Sequence, residues 1–242
     1  RLYWIPRMAS PLTGTYVSYD FEAMVGILAL EAQRAGAVVI GEDLGTVEPW
    51  VQDVLAQKAV LGTSIVWFEH DDDDYSPLPQ DKYRHLALSS VNTHDLPPTL
   101  AYLRGDHISL RARLGVLTRS VEDEQRDDIE WQARVLGAVA DRSLLPQRDY
   151  LVDPAERASR GAEEDISVAL HRYIAGTPSA LACTSLVDMV GDVRAQNQPG
   201  TTHELYPNWC VPLCDTNGTA LLIEDLAGLE FFQRLEATSR KA

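Results

Sequence analysis

The sequence predicts an α/β protein built on a parallel sheet or a (β/α) barrel. Helix-like and strand-like stretches alternate over the first part of the chain, which is the pattern of parallel strands joined by helical crossovers. The strand-like runs are short, apolar and rich in β-branched residues, without the polar alternation of a sheet that faces water. They also finish in polar clusters: Glu42-Asp43, His94-Asp95 and, a little beyond the fourth run, the region of Asn197.

Taken in order, residues 1–19 read as a loop broken by Pro6, Pro11 and Gly14, with Tyr3 and Trp4 offering stacking faces. Asp20 is placed to cap a helix over 21–35, whose stripe of Phe21, Met24, Val25, Leu28 and Ala32 would face a core before Gly36 ends it. A buried strand over 37–41 then stops at Glu42-Asp43, held between Gly41 and Leu44-Gly45. A helix over 47–58 uses Val47, Val51, Val54 and Leu55 and tolerates Pro49 in its first turn. Thr63 to Phe68 is strand-like. Asp71 to Asp74 lack the alternating ligands and glycine hinge of a calcium loop, so a solvated loop is expected. Leu86 to Val91 makes a third strand, and Pro97-Pro98 suit entry to a helix that reaches 103. Residues 106–145 read as amphipathic helix, 146–162 as a polar linker and 163–175 as helix. A strand over Ser179–Cys183, a short helix over Ser185–Val190 and a last helix over 219–237 complete the chain.

Bulk composition narrows the partners. With 36 acidic against 21 basic residues and a net charge of −15 over 242 residues, the chain would repel a phosphate backbone and an anionic membrane surface. No Gly-rich phosphate cradle is present. Three cysteines, Cys183, Cys210 and Cys214, are too few for a disulfide framework and point to a reducing, cytoplasmic setting. Cys210 and Cys214 near His203 lack a second matched pair for zinc. No apolar run is long enough to span a bilayer.

Neutral substrates such as sugars remain. Burying Glu42 or Asp43 at a strand end costs several kcal/mol unless the charge is paired or neutralised, and desolvation is one way to hold a catalytic acid near the working pH. Period-2 alternation says only that the two carboxylates face opposite ways. Carboxylates at the ends of nearby strands would meet at the mouth of a barrel, where one donates a proton to a leaving glycosidic oxygen and another stabilises positive charge. His94 is placed to bind a sugar hydroxyl, and Tyr3, Trp4, Trp67 and Trp209 to stack on sugar faces.

Gly41-Glu42-Asp43-Leu44-Gly45, Thr93-His94-Asp95 and Asn197-x-Pro199-Gly200-Thr201 with Asn208-Trp209 resemble the motifs of glycoside hydrolase family 77, the amylomaltase-type 4-alpha-glucanotransferases. The resemblance runs from Tyr3-Trp4-Ile5-Pro6 to the last helix. It implies the carboxy-terminal half of a (β/α)8 barrel over residues 1–242, with a helical insertion at roughly 106–162, and no cofactor. It implies retaining transfer of α-1,4-glucan segments from a malto-oligosaccharide donor to glucose or a maltodextrin. Glu42 would be the general acid/base and Asp95 the transition-state stabiliser. His94, Asn197 and Trp4 would bind substrate, and Asp43 would support the loop. The family's nucleophile, an Asp two positions after an Arg, would fall just before Arg1. The chain starts without an initiator Met and reads as part of a longer protein, expected to be inactive without the amino-terminal half of the barrel. An α-glucan hydrolase and a non-catalytic glucan-binding fragment are the alternatives.

Overall fold

A computed structural model describes residues 2–45 and 47–239. The chain divides into two compact units, residues 1–62 and 63–242.

In the first unit, the stretch expected as a loop contains a two-stranded antiparallel ribbon. Strands β1 (Leu2–Trp4) and β2 (Thr15–Val17) pair Leu2 with Val17 and Trp4 with Thr15. Helix α1 (Phe21–Ala35) begins where Asp20 accepts a hydrogen bond from the Ala23 N–H at 3.1 Å, and Gly36 ends it. The expected apolar stripe is present in sequence, yet no α1 residue is fully buried, and Met24 and Leu28 are exposed. The expected strand over 37–41 is reduced to one parallel bridge, Ile40 to Leu61, framed by hydrogen bonds from Gly41 N to Leu61 O and from Leu61 N to Val39 O. Val38 and Ile40 are exposed rather than buried. A strand gains its burial from sheet neighbours on both sides, and the single bridge to Leu61 gives this stretch a neighbour on one side. Helix α2 (Pro49–Gln57) follows, with Pro in its first turn.

The second unit holds a three-stranded sheet in the order β3 (Gly62–Ile65), β4 (Ala87–Ser90), β5 (Leu181–Cys183). The last two run parallel, with Leu88 opposite Leu181 and Ser90 opposite Cys183. β3 is buried throughout, as expected of a strand covered on both faces. After β4 come α3 (Thr99–Arg104), α4 (Asp106–Leu114) and α5 (Val121–Asp141). The single helical stretch expected over 106–145 is thus two helices. Gly115 breaks it by adopting a left-handed φ of 70° that most residues avoid. Ser120 then restarts the chain by capping the Asp123 N–H, and Glu122, Asp123 and Glu124 sit at the positive end of the α5 dipole. Ile129, Gln132, Leu136 and Val139 lie on the buried face of α5 at helical spacing.

Residues 146–162, expected as a polar linker, contain a 3-10 helix over Pro154–Arg160, and both Arg157 and Arg160 are buried. Helix α6 (Glu163–Ala175), short α7 (Leu186–Met189) and α8 (Glu230–Ser239) follow; a 3-10 turn over Ile223–Gly228 occupies the start of what reads as one C-terminal helix. Leu100, Val168, Phe231 and Leu235 form a core cluster, with Met189 and Val193 packed against it. No described helix is long and apolar enough to cross a membrane.

Gly191 closes the turn after α7 at φ 72°, and a Cβ there would come 2.6 Å from Thr216 Cγ2 and 3.4 Å from Leu100 and Phe231 side-chain atoms. Gly191→Ala is therefore expected to cost about 1–3 kcal/mol, from overpacking and left-handed strain together. A lowered urea midpoint with an unchanged slope would report it; an unchanged midpoint would contradict it.

Candidate functional site

The second unit gathers part of the expected constellation. Asp95 lies in the loop between β4 and α3, and its backbone N–H bonds to Thr93 Oγ1 at 3.2 Å. Asn197 arrives from 102 residues further along and donates from Nδ2 to Asp95 Oδ1 at 2.6 Å. His94 Nε2 stands 3.5 Å from the same oxygen. Above them Trp209, which is 62% exposed, holds its ring 5.6 Å from the His94 ring. Asp95, His94, Asn197 and Trp209 thus form one open cluster, with a hydrogen-bonding pair and an aromatic face.

The Asn197 loop is braced by local hydrogen bonds. Asn208 accepts from the Gln198 N–H at 2.7 Å through Oδ1 and donates to Thr201 Oγ1 at 2.9 Å through Nδ2. Thr201 in turn donates to Gln198 O at 2.7 Å, and the Tyr206 hydroxyl donates to Ala195 O at 2.6 Å. The Asn-x-Pro-Gly-Thr and Asn-Trp segments therefore clasp each other. Gly200 and Trp209 supply the left-handed turns, at φ 79° and 61°.

Glu42, Asp43 and Trp4 belong to the first unit. The buried carboxylate there is Asp43, 5% exposed, whereas Glu42 is exposed and bonds only loosely, Oε1 to the Leu44 N–H at 3.2 Å. The desolvation expected at this strand end thus falls on Asp43. Trp4 is exposed in β1 and donates to the Tyr19 hydroxyl at 3.0 Å.

A cavity of about 290 Å³ opens beside Asp95 and Asn197 and is lined also by Tyr102, His107 and Arg111. The His107 ring stacks on Tyr102 at 4.9 Å. Burial holds its imidazole below the ordinary value, outweighing Asp128, while Arg157 and Arg111 push the same way as burial. The motifs miss these residues. A signal was available in the four-residue spacing of His107 and Arg111, which puts them on one face of α4, the second helix after the Asp95 loop. Among the described residues no group of His, Cys, Asp and Glu is arranged to hold a metal ion.

Comparison with known proteins sets this geometry in context. A family model described as Glyco_hydro_77, 4-alpha-glucanotransferase, matches residues 1–216. A curated 4-alpha-glucanotransferase of Mycobacterium tuberculosis is 51% identical, covering 100% of this chain and 32% of its own length. One from Haemophilus influenzae is 29% identical over 88% of this chain and 30% of its own. The crystal structure of amylomaltase from Corynebacterium glutamicum superposes with a TM-score of 0.94 at 55% identity, over 100% of this chain and 34% of that one. An amylomaltase from Streptococcus agalactiae, solved with acarbose, has a TM-score of 0.56 at 17% identity and supports the fold alone. The chain spans about a third of the length of the relatives it matches.

Proposed function

The chain belongs to the 4-alpha-glucanotransferase family, glycoside hydrolase family 77, and we propose that it supplies the proton-transfer and charge-stabilising carboxylates for transfer of α-1,4-glucan segments between malto-oligosaccharides. Its fold is part of an α/β barrel, as its match to amylomaltase requires. The observation that carries the reading is the Asp95 carboxylate, held by Asn197 at 2.6 Å in an open, aromatic-flanked cluster.

In this reading a donor glucan loses its leaving 4-oxygen as Glu42 protonates it. Asp95 stabilises the oxocarbenium-like charge that develops on the sugar, while His94 and Asn197 fix its hydroxyls. A carboxylate nucleophile forms the glycosyl-enzyme intermediate, and Glu42, now a base, activates the acceptor 4-hydroxyl. The family likeness puts that nucleophile ahead of Tyr3-Trp4-Ile5-Pro6, outside these 242 residues. Asp43, buried beside Glu42, is suited to bracing the loop, and exposed Trp4 to stacking on a sugar. Helices α4 and α5 with the following 3-10 helix would be an insertion in the barrel, at roughly 106–162. Donor and acceptor would be neutral malto-oligosaccharides and glucose, in keeping with the acidic surface, and the three free cysteines favour a cytoplasmic setting.

Incubation of the purified 242-residue chain with maltotriose is expected to leave it unchanged, because two of the three carboxylates cannot form the covalent intermediate. Robust appearance of glucose and longer maltodextrins would contradict this division of labour.

A further inference from the structure

The cavity beside Asp95 carries a second charge that the double displacement does not use. Arg111 lines it from α4, half-buried, while Asp95 and Asn197 line it from their loops. Among the described residues the Arg111 side chain makes neither a hydrogen bond nor an ion pair, and none of its nitrogens is buried without a partner. Its donors are therefore unused and reachable. By contrast, Arg157 is committed to Asp128, Arg160 to Gln132 and Arg194 to Asp192. The Arg111 charge is close enough to register at the His107 ring, which lines the same cavity. Burial, then Arg157 and Arg111, outweigh Asp128 and keep that imidazole below its ordinary value.

A carboxylate and a guanidinium on one cavity commonly pair. Here Asp95 is engaged by Asn197 and His94 instead, so the two opposite charges border the same space without joining. A ligand that bridges them accepts from one and donates to the other. A neutral polyhydroxyl does both, whereas an anion would meet the Asp95 carboxylate and a cation would meet Arg111. The planar fork of a guanidinium also suits two neighbouring hydroxyl oxygens of one sugar ring. At about 290 Å³ the space sits at the low end of ligand pockets, which fits one such ring rather than a chain.

We propose that Arg111 is a further substrate-contacting residue, whose guanidinium donates hydrogen bonds to hydroxyl oxygens of a single glucosyl unit seated between it and Asp95. The inference rests on the glucan reading of the chain and adds to it a binding residue outside the sequence motifs.

The test is a titration of the chain, labelled with ¹⁵N-arginine, with maltotriose at millimolar concentrations. Saturable binding is expected, accompanied by a shift of the Arg111 Nε resonance, which is assigned by its loss in Arg111→Lys. Arg111→Ala removes the donors and should weaken binding about tenfold. Arg111→Lys, which returns a charged donor without the fork, should recover part of the loss. Arg113→Ala is the control: it removes the same charge from the same helix, but Arg113 lines a different cavity, and affinity should stay unchanged. If Arg111→Ala does not fold, the Nε shift in the wild-type chain decides. Saturable binding with a silent Arg111 Nε, undiminished affinity in Arg111→Ala, or an equal loss in Arg113→Ala overturns the assignment and leaves the glucan reading standing. Absence of maltotriose binding to the wild-type chain overturns both.

Discussion

Asp128→Ala is expected to destabilise the second unit by about 3–5 kcal/mol, the cost of leaving a buried charge without its partner. Asp128 on α5 is 8% exposed in its side chain and accepts from Arg157 Nη2 at 2.6 Å and from Gln132 Nε2 at 3.1 Å. Arg157 is itself 8% exposed, and Arg160 beside it only 3%. Arg160 is held by neutral acceptors: its guanidinium donates to Gln132 Oε1 at 2.9 Å and to Leu103 O at 2.6 Å. Burial, followed by repulsion from Arg157, lowers its pKa to about 10. Two buried guanidiniums thus depend on one carboxylate. Its removal also frees the His107 ring that Asp128 faces. For a domain of this size each kcal/mol shifts Tm by about 2–4 °C, so a fall on the order of 10 °C is expected by circular dichroism. A shift of only a degree or two would mean that solvent compensates the arginines.

Asp188→Ala should be nearly as damaging, at about 2–4 kcal/mol. Asp188 on α7 is 2% exposed and receives two hydrogen bonds from Thr99, from its backbone N–H at 2.6 Å and from its Oγ1 at 2.8 Å. Thr99 opens α3 immediately after Pro97-Pro98, where the Asp95 loop ends. It is fully buried, so truncation of Asp188 leaves a helix-start N–H and a hydroxyl with no acceptor, each costing about 1–3 kcal/mol. His171 Nε2, 3.5 Å from the same carboxylate, loses its neighbour as well. Asp188→Asn keeps one oxygen acceptor and should cost roughly half as much. Amide hydrogen exchange separates the consequences, because Thr99 and the loop before it should lose protection ahead of the core helices. Exchange that rises uniformly across the unit would refute a local anchoring role.

Local chemistry was legible in the sequence, and distant partnership was not. Asp20 and Gly36 bound α1 from sequence alone, and Pro97-Pro98 announces α3, because caps and prolines act within one turn. The ribbon of β1 and β2 escapes a local reading, since a three-residue strand exists only through its partner across the hairpin. Residues 106–145 keep an apolar period across Gly115, so periodicity alone runs two helices into one. Arg157 and Arg160 sit in a stretch whose polarity suggests solvent; the Arg157 pair with Asp128 and the Arg160 bonds to Gln132 and to Leu103 O make their burial possible, and no period marks it. At the site, the motifs carrying Asp95 and Asn197 can be recognised separately, but their hydrogen bond joins residues 102 apart. Likewise, alternation says that Glu42 and Asp43 point apart without saying that Asp43 is the one turned inward.

The pairing of β4 with β5 has a consequence for biosynthesis. Ser89 Oγ bonds to Leu181 O across 92 residues of chain, and those residues include α3 to α6. A ribosome adding about 5–20 residues per second would emit β4 on the order of 5–20 seconds before its partner strand. During that interval α3, α4 and α5, which pack on one another in chain order, can begin to associate, while α6 still lacks α8. The unpaired edge of β4 must meanwhile be kept from other nascent chains. The interval between the two strands, rather than the burial of either one, sets when this unit is most exposed to aggregation.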